Sequence, residues 1–135
     1  MLVLLDANVW LAALAGGGFC RRVLEAAAST CTFVTTPLLL DEVREKLERK
    51  FHRTPDHAED LVNQLAARSW HREDVAFEPL GFDDPDDEPI LTASAANACD
   101  ILVTGDKKLL ALDSFRGVEI LGVRAFAEKL RLHID

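Results

Sequence analysis

The sequence predicts an α/β protein, a three-layer α/β/α sandwich around a small central parallel sheet. Apolar runs at 2–5 and 101–104 show no alternation, which is typical of strands buried on both faces. Segments with helical spacing separate the strands, so that successive strands need crossover connections. The length of 135 residues and the 49% of hydrophobic residues fit one domain over 1–135.

The first half of the chain is predicted to contain two strands and four helices. Thr36 and Thr54 each precede a proline, which is the pattern of an N-cap followed by the first helical residue. The glycine run 16–18 predicts the end of the first helix. The predicted elements are strand 2–5, helix 7–15, helix 19–29, strand 31–35, helix 37–51 and helix 55–69.

The second half continues the alternation of strands and helices. The stretch GFDDPD at 81–86 is rich in turn formers and predicts a loop before an apolar helix. The predicted elements are an extended piece at 75–78, helix 87–98, strand 101–104, helix 107–112, strand 118–121 and helix 123–132.

Charge and cysteine content limit the classes of protein that fit. The net charge of −8 argues against a protein that holds nucleic acid through backbone charge alone, so a bound cation or a local basic face would be needed. The three cysteines have no CxxC spacing, which favours free thiols in a reducing compartment. With no basic N-terminal region and no long apolar run, we expect a cytoplasmic protein with no membrane span.

Two acidic residues follow directly on predicted strands. Asp6 comes after strand 2–5 and Asp106 comes shortly after strand 101–104, so the two emerge side by side if those strands are neighbours. Two carboxylates about 4 Å apart repel each other by about 4 kcal/mol, which a shared proton or a cation offsets. The alternative is that each acid only caps the helix that follows it.

Two further acids are candidates for the same site. Glu42 lies between Leu39 and Val43 on the apolar side of helix 37–51, although a glutamate in an amphipathic helix is more often solvated. Asp87 precedes Ile90 by three residues, on the side that helix 87–98 buries. The neighbouring Asp83, Asp84 and Asp86 are interpreted as surface residues or, for Asp86, as a helix cap.

The segments LLDANVW, PLLLDEVREKLERKF, DDEPILTASAANACDILVTGDKKLLAL and VEILGVRAFAEKL are spread over the whole chain. In this order they resemble the PIN domain family, most closely the VapC-like toxins of toxin–antitoxin pairs. The resemblance implies a metal-dependent nuclease, usually acting on RNA, with Asp6, Glu42, Asp87 and Asp106 as its acids and Asn8 and Thr104 in support. Close relatives often carry another acid where this chain has Lys108, which puts a second metal position in question.

The chemistry of these residue types agrees with a magnesium or manganese site. Both ions prefer oxygen ligands and activate bound water, so we expect Asp6, Asp87 and Asp106 to hold Mg²⁺ or Mn²⁺. Glu42 would complete the shell or orient the attacking water. The candidates for contact with the RNA backbone are Lys107, Lys108, Arg44 and Arg49, although a solvated surface accounts for these bases as well.

Other functions remain as alternatives at this point. The main one is a non-catalytic PIN-like module that binds RNA or protein. Asp6 also resembles a phosphatase nucleophile, but Asn8 cannot donate the proton that this reaction needs. The family resemblance further implies a homodimer and an antitoxin partner, for which helices 37–51 and 55–69 offer apolar faces.

Overall fold

The computed structural model describes residues 1–74 and 87–132. The strands in these ranges are β1 (Leu2–Leu5), β2 (Thr32–Thr35), β3 (Trp70–His71), β4 (Ile101–Val103), β5 (Ser114–Phe115) and β6 (Val118–Leu121). The helices are α1 (Ala7–Leu11), α2 (Gly18–Ala27), α3 (Pro37–Arg49), α4 (Pro55–Ala67), α5 (Glu88–Ala96), α6 (Lys107–Leu110) and α7 (Val123–Lys129), with a π-helical turn at Ala12–Gly16. None of these helices is long and apolar enough to cross a bilayer.

The six strands form one sheet in the order β3-β2-β1-β4-β6-β5. All neighbours are parallel except β5, which pairs antiparallel with β6. In the register of the central strand, Val3 lies opposite Phe33 of β2 and opposite Ile101 of β4. The predicted α/β fold is confirmed, and the strands that precede Asp6 and Asp106 are neighbours.

The direction of the chain across the sheet reverses between β1 and β4. The connection from β1 leads to β2 on one side, whereas β4 connects to β6 on the other side. Right-handed crossovers in opposite directions place their helices on opposite faces of a sheet. A crevice therefore opens at the carboxyl ends of β1 and β4, where ligands bind in open α/β sheets.

The core lies on both faces of the two central strands. Val3, Leu4 and Leu5 of β1 and all residues of β4 are buried, which explains why their sequences lack alternation. On α3 the residues Leu39, Val43 and Leu47 are buried, as the helical spacing predicts. Each such side chain contributes about 1.5–3 kcal/mol through burial, which holds α3 firmly against α1 and α4.

The helix starts predicted at the two Thr-Pro pairs are confirmed. The Thr36 hydroxyl accepts from the Leu39 N–H at 3.4 Å, and the Thr54 hydroxyl accepts from the His57 N–H at 3.2 Å. The first helix differs from its prediction, since α1 ends at Leu11 and the backbone continues as a π-helical turn to Gly16. Helix ends are otherwise within a few residues of those expected. The extended piece predicted at 75–78 and the loop at 81–86 lie outside the described residues.

Two short edge strands, β3 and β5, are absent from the sequence-based prediction. Each has only two residues, which is too few to show a period. The turn between β5 and β6 is Arg116-Gly117, and both residues have positive φ, at 48° and 86°. This is the conformation of a tight hairpin turn, and it makes β5 an antiparallel addition to an otherwise parallel sheet.

Candidate active site

A pocket of about 520 Å³ lies at the carboxyl ends of the central strands. Asp6, Glu42, Asp87 and Asp106 all line it, together with Asn8. These residues come from four separate parts of the chain: the end of β1 and start of α1, the middle of α3, the start of α5, and the loop after β4. The structure thus brings together the four acids that the sequence analysis selected.

Asp6 is positioned by the backbone on both sides of it. Its N–H donates to the Val103 carbonyl at 2.9 Å, which extends the pairing of β1 with β4 by one residue. Its carbonyl accepts from the N–H groups of Val9 and Trp10, which starts α1. The Asp6 side chain makes no capping bond to α1, so helix capping does not account for this acid.

Thr104 connects the ends of the two acid-bearing strands. Its buried hydroxyl donates to Asp6 Oδ2 at 2.8 Å and accepts from the Asp106 N–H at 3.0 Å. One side chain therefore orients the Asp6 carboxylate and also holds the backbone from which Asp106 projects. This position fits the supporting role predicted for Thr104.

Asp106 caps the short helix α6. Its Oδ1 accepts from the N–H of Lys108 at 2.8 Å and from that of Leu109 at 3.4 Å. The capping alternative therefore applies to this acid. A carboxylate has two oxygens and about four acceptor positions, so capping leaves Asp106 acceptor capacity that a ligand in the pocket can use.

Glu42 and Asp87 lie at the border of the pocket. The Glu42 side chain is 45% exposed, as expected for a glutamate in an amphipathic helix, and it also lines the pocket. The helix turns its apolar residues inward and leaves Glu42 at the rim. Asp87 immediately precedes α5 without a side-chain cap bond to it. Asp83, Asp84 and Asp86 lie outside the described residues.

Lys46 is a site residue that the sequence analysis missed. Its Nζ lies 3.1 Å from Glu42 Oε1 and donates to Asn8 Oδ1 at 3.2 Å. The side chain is only 16% exposed and lines the acid pocket. A signal was present in the sequence, because residues four apart share a helix face, and Lys46 is four residues after Glu42.

The electrostatics of the pocket centre on Asp6. Burial raises the pKa of the Asp6 carboxyl, and the nearby Glu42 raises it further. The Thr104 hydrogen bond, the Ala7 backbone and the Lys46 charge lower that pKa without cancelling the rise. A carboxylate whose charged form is disfavoured in this way gains from a nearby cation.

The pocket offers the right donor atoms for a hard divalent cation. Carboxylate and amide oxygens from Asp6, Asn8, Asp87 and Asp106 line it, and these are the donors that Mg²⁺ and Mn²⁺ prefer. Among residues 1–74 and 87–132, no group of three or more His, Cys, Asp or Glu side chains is close enough to hold a metal. The acids of the described residues therefore line one pocket without three of them converging on a single point.

The four predicted phosphate-contacting bases differ in position. Arg49 lines the pocket and pairs with Glu45 at 3.2 Å. Lys107 and Lys108 are exposed at the start of α6, directly after Asp106. Arg44 bonds to Asp41 on α3 and to Glu59 on α4, both at 2.8 Å. An ion pair between helices thus accounts for Arg44 without any contact with RNA.

Comparisons with known proteins agree on the fold. A family model described as "PIN domain" matches residues 2–108. No curated protein matches the chain in sequence. The structure of VapBC2 from Rickettsia felis bound to a promoter DNA fragment is similar with a TM-score of 0.68 and 14% identity, over 90% of this chain and 98% of that one. A PilT N-terminus domain protein from Sulfolobus solfataricus is similar with a TM-score of 0.62 and 16% identity, over 100% and 98% of the two chains.

Proposed function

We propose, from the premise that this chain belongs to the PIN domain family, that it is a metal-dependent endoribonuclease and the toxin of a toxin–antitoxin pair. One observation carries this proposal: four carboxylates from separate elements line one pocket at the point where the sheet reverses direction. Collecting acids in this way is unfavourable unless a cation or a proton is shared between them. Of these two, a divalent cation would also allow the site to bind phosphate and activate water.

The residues of the pocket have distinct roles in the proposed reaction. Asp6, Asp87 and Asp106 hold Mg²⁺ or Mn²⁺, directly or through water. When bound, such an ion polarises a phosphate oxygen and lowers the pKa of a water molecule. Glu42, at the exposed rim, orients the attacking water and accepts its proton. Thr104 fixes the direction of the Asp6 carboxylate through its hydrogen bond.

The proposal also accounts for RNA binding by an acidic protein. With a net charge of −8, the chain as a whole repels a polyanion. A bound divalent cation would offset two of the negative charges of the pocket, and Arg49 in the pocket and Lys107 and Lys108 directly after Asp106 supply further positive charge for phosphates. RNA binding is therefore confined to this edge of the sheet. The shape of the RNA and its single-stranded regions are the sources of selectivity.

An antitoxin partner and a homodimer are part of the same proposal. The similar structure from Rickettsia felis is a VapBC2 complex. On α3 and α4 the exposed Leu38 and the partly buried Leu40 and Leu61 offer apolar surface to a partner helix. The acidic surface suits a partner that carries basic patches.

The experiment that tests the enzymatic proposal is cleavage of a mixed RNA pool by the purified protein in Mn²⁺ or Mg²⁺. Controls are EDTA, Asp6→Asn and Asp106→Asn, because an amide oxygen can still accept the hydrogen bonds that position each residue. We expect cleavage that both variants and EDTA abolish. Cleavage that survives Asp6→Asn would show that the site lies elsewhere. Metal binding by a protein that cleaves nothing would favour the non-catalytic RNA- or protein-binding module.

A further inference from the structure

Lys46 differs from the other lysine and arginine residues that pair with an acid one helical turn away. The basic side chain is 59%, 65% and 32% exposed in the pairs Arg21–Glu25, Arg49–Glu45 and Arg44–Asp41. The Lys46 side chain is 16% exposed. A surface ion pair contributes little and leaves its lysine in water, so the burial of Lys46 requires a different explanation.

The second contact of Lys46 provides that explanation. Its ammonium group reaches across from α3 to Asn8 at the start of α1 while it pairs with Glu42. Both contacts lie in the acid pocket, and the positive charge acts directly on Asp6 as well, where it opposes the effect of burial on the carboxyl pKa. The ammonium group thus contacts two oxygens of the pocket, on Glu42 and Asn8, and its charge also acts on Asp6, which we assign to the metal.

We propose that Lys46 is a built-in counter-ion of the acid pocket, which neutralises part of its charge when no metal is bound and opposes the entry of a divalent ion by charge repulsion. This inference rests on the proposed function, since it concerns the site that we assign to the metal. Two like charges near the same carboxylates repel each other, so metal binding has to displace the ammonium group or work against its charge. Lys46 would then set the metal concentration at which the site fills.

The test is a titration of the full chain with Mn²⁺, with the bound ion followed by electron paramagnetic resonance or calorimetry. Lys46→Met removes the charge and keeps a side chain of similar length, whereas Lys46→Arg keeps the charge. Lys50→Met is the matched control, because Lys50 directly follows the same helix, is exposed and does not line the pocket. We expect Lys46→Met to bind Mn²⁺ about tenfold more tightly than the wild type, as removal of a nearby like charge predicts. Lys46→Arg and Lys50→Met should stay within about twofold.

A second measurement tests the counter-ion role without any metal. In EDTA, Lys46→Met should lower the melting temperature of the wild type more than that of the Asp6→Asn variant, because the repulsion that Lys46 offsets is smaller in the variant. Such non-additivity is the signature of a direct interaction between two sites.

The outcomes separate this inference from the proposed function. If the wild type binds Mn²⁺ and Lys46→Met binds it equally or more weakly, Lys46 does not oppose the entry of the ion, while the metal site stands. If Lys46→Met binds more tightly, or binds where the wild type does not, the inference is supported. If neither protein binds Mn²⁺, the proposed function fails, and the melting temperatures alone test the role of Lys46. In that case, an equal fall in melting temperature on Lys46→Met in the wild type and in Asp6→Asn would overturn the counter-ion role.

Discussion

At the scale of single residues, the Thr104 hydroxyl has the largest influence on the geometry of the acids. It is buried, and it is bonded both to the Asp6 carboxylate and to the Asp106 backbone. Buried polar groups that lose their partners cost more than the hydrogen bond itself contributes. The contribution of the Thr104 hydroxyl to stability can therefore be measured separately from the contribution of its methyl group.

Thr104→Val keeps the shape of the side chain and removes the hydroxyl. We expect it to lower the free energy of unfolding by about 1–3 kcal/mol, because the Asp106 N–H loses its acceptor and Asp6 loses a donor. Thr104→Ser, which keeps the hydroxyl and loses one methyl group, should cost about 1 kcal/mol. Urea denaturation in EDTA measures both. A loss for Thr104→Ser with none for Thr104→Val would show that the methyl group, and not the hydroxyl, is what matters.

Asp6→Asn should make the metal-free protein more stable. Burial and then Glu42 raise the pKa of Asp6 above its ordinary value of 3.8, so the native state binds this proton more tightly than the unfolded state does. The resulting contribution to stability is complete below pH 3.8 and is lost as the pH rises through the folded-state pKa. Above that pKa we expect the variant to melt about 3 °C higher, the shift that about 1 kcal/mol produces.

Melting curves in EDTA over a range of pH check this prediction. The difference between Asp6→Asn and the wild type should close as the pH falls toward 3.8. A difference that does not change with pH would mean that the substitution acts through packing or hydrogen bonding instead.

A site residue could be predicted from the sequence when it follows a recognisable strand. Asp6 and Asp106 were predictable because they end apolar strands that proved to be neighbours. Lys46 also had a signal, its position four residues after Glu42, but that signal is not specific because such a pair is usually solvated. Its contact with Asn8 spans 38 positions of the chain, and only the packing of α1 against α3 creates that contact.

At the scale of elements, the segment between α1 and α2 departs from regular helical geometry. A π-helical turn at Ala12–Gly16 leads into Gly17 and Gly18, which have φ of 69° and 71°. The ψ of Gly17 is −147°, a combination that is essentially confined to glycine. This junction lets α2 start directly after a widened helical turn.

Gly17→Ala should destabilise the protein by about 1–3 kcal/mol, because the added Cβ strains a backbone conformation that other residues avoid. Gly16→Ala is the matched control, since Gly16 has ordinary backbone angles and open space where a Cβ would lie. We expect the control to remain within about 0.5 kcal/mol of the wild type. Thermal melts of both variants test this, and similar losses at the two positions would argue against strain as the cause.

Elements were predictable from the sequence when they were long or carried a specific signal. The Thr-Pro pairs marked α3 and α4, and continuous apolar runs marked β1 and β4. The two-residue strands β3 and β5 have no such signal. They form because β2 and β6 present unpaired edges beside them, and this is a tertiary effect.

At the scale of the whole molecule, a protein with a net charge of −8 is expected to be stabilised by cations in general. Comparing Mg²⁺ with Na⁺ therefore tests whether the acid pocket binds a divalent ion specifically. Mg²⁺ at about 100 times its Kd should stabilise the wild type by about 2.7 kcal/mol through binding to the native state. Asp6→Asn should lose most of this gain. Melting temperatures in MgCl₂ and in NaCl of matched ionic strength provide the comparison. A gain that NaCl reproduces would come from general screening of the acidic surface.

Within residues 1–74 and 87–132, the sheet ends on each side in a strand of only two residues, β3 and β5. Long exposed edges recruit further strands from other molecules and so promote fibrils, whereas very short edges give a foreign strand little to pair with. Self-assembly by strand addition is therefore disfavoured in this fold. A concentrated solution of the protein should accordingly resist growth into cross-β aggregates.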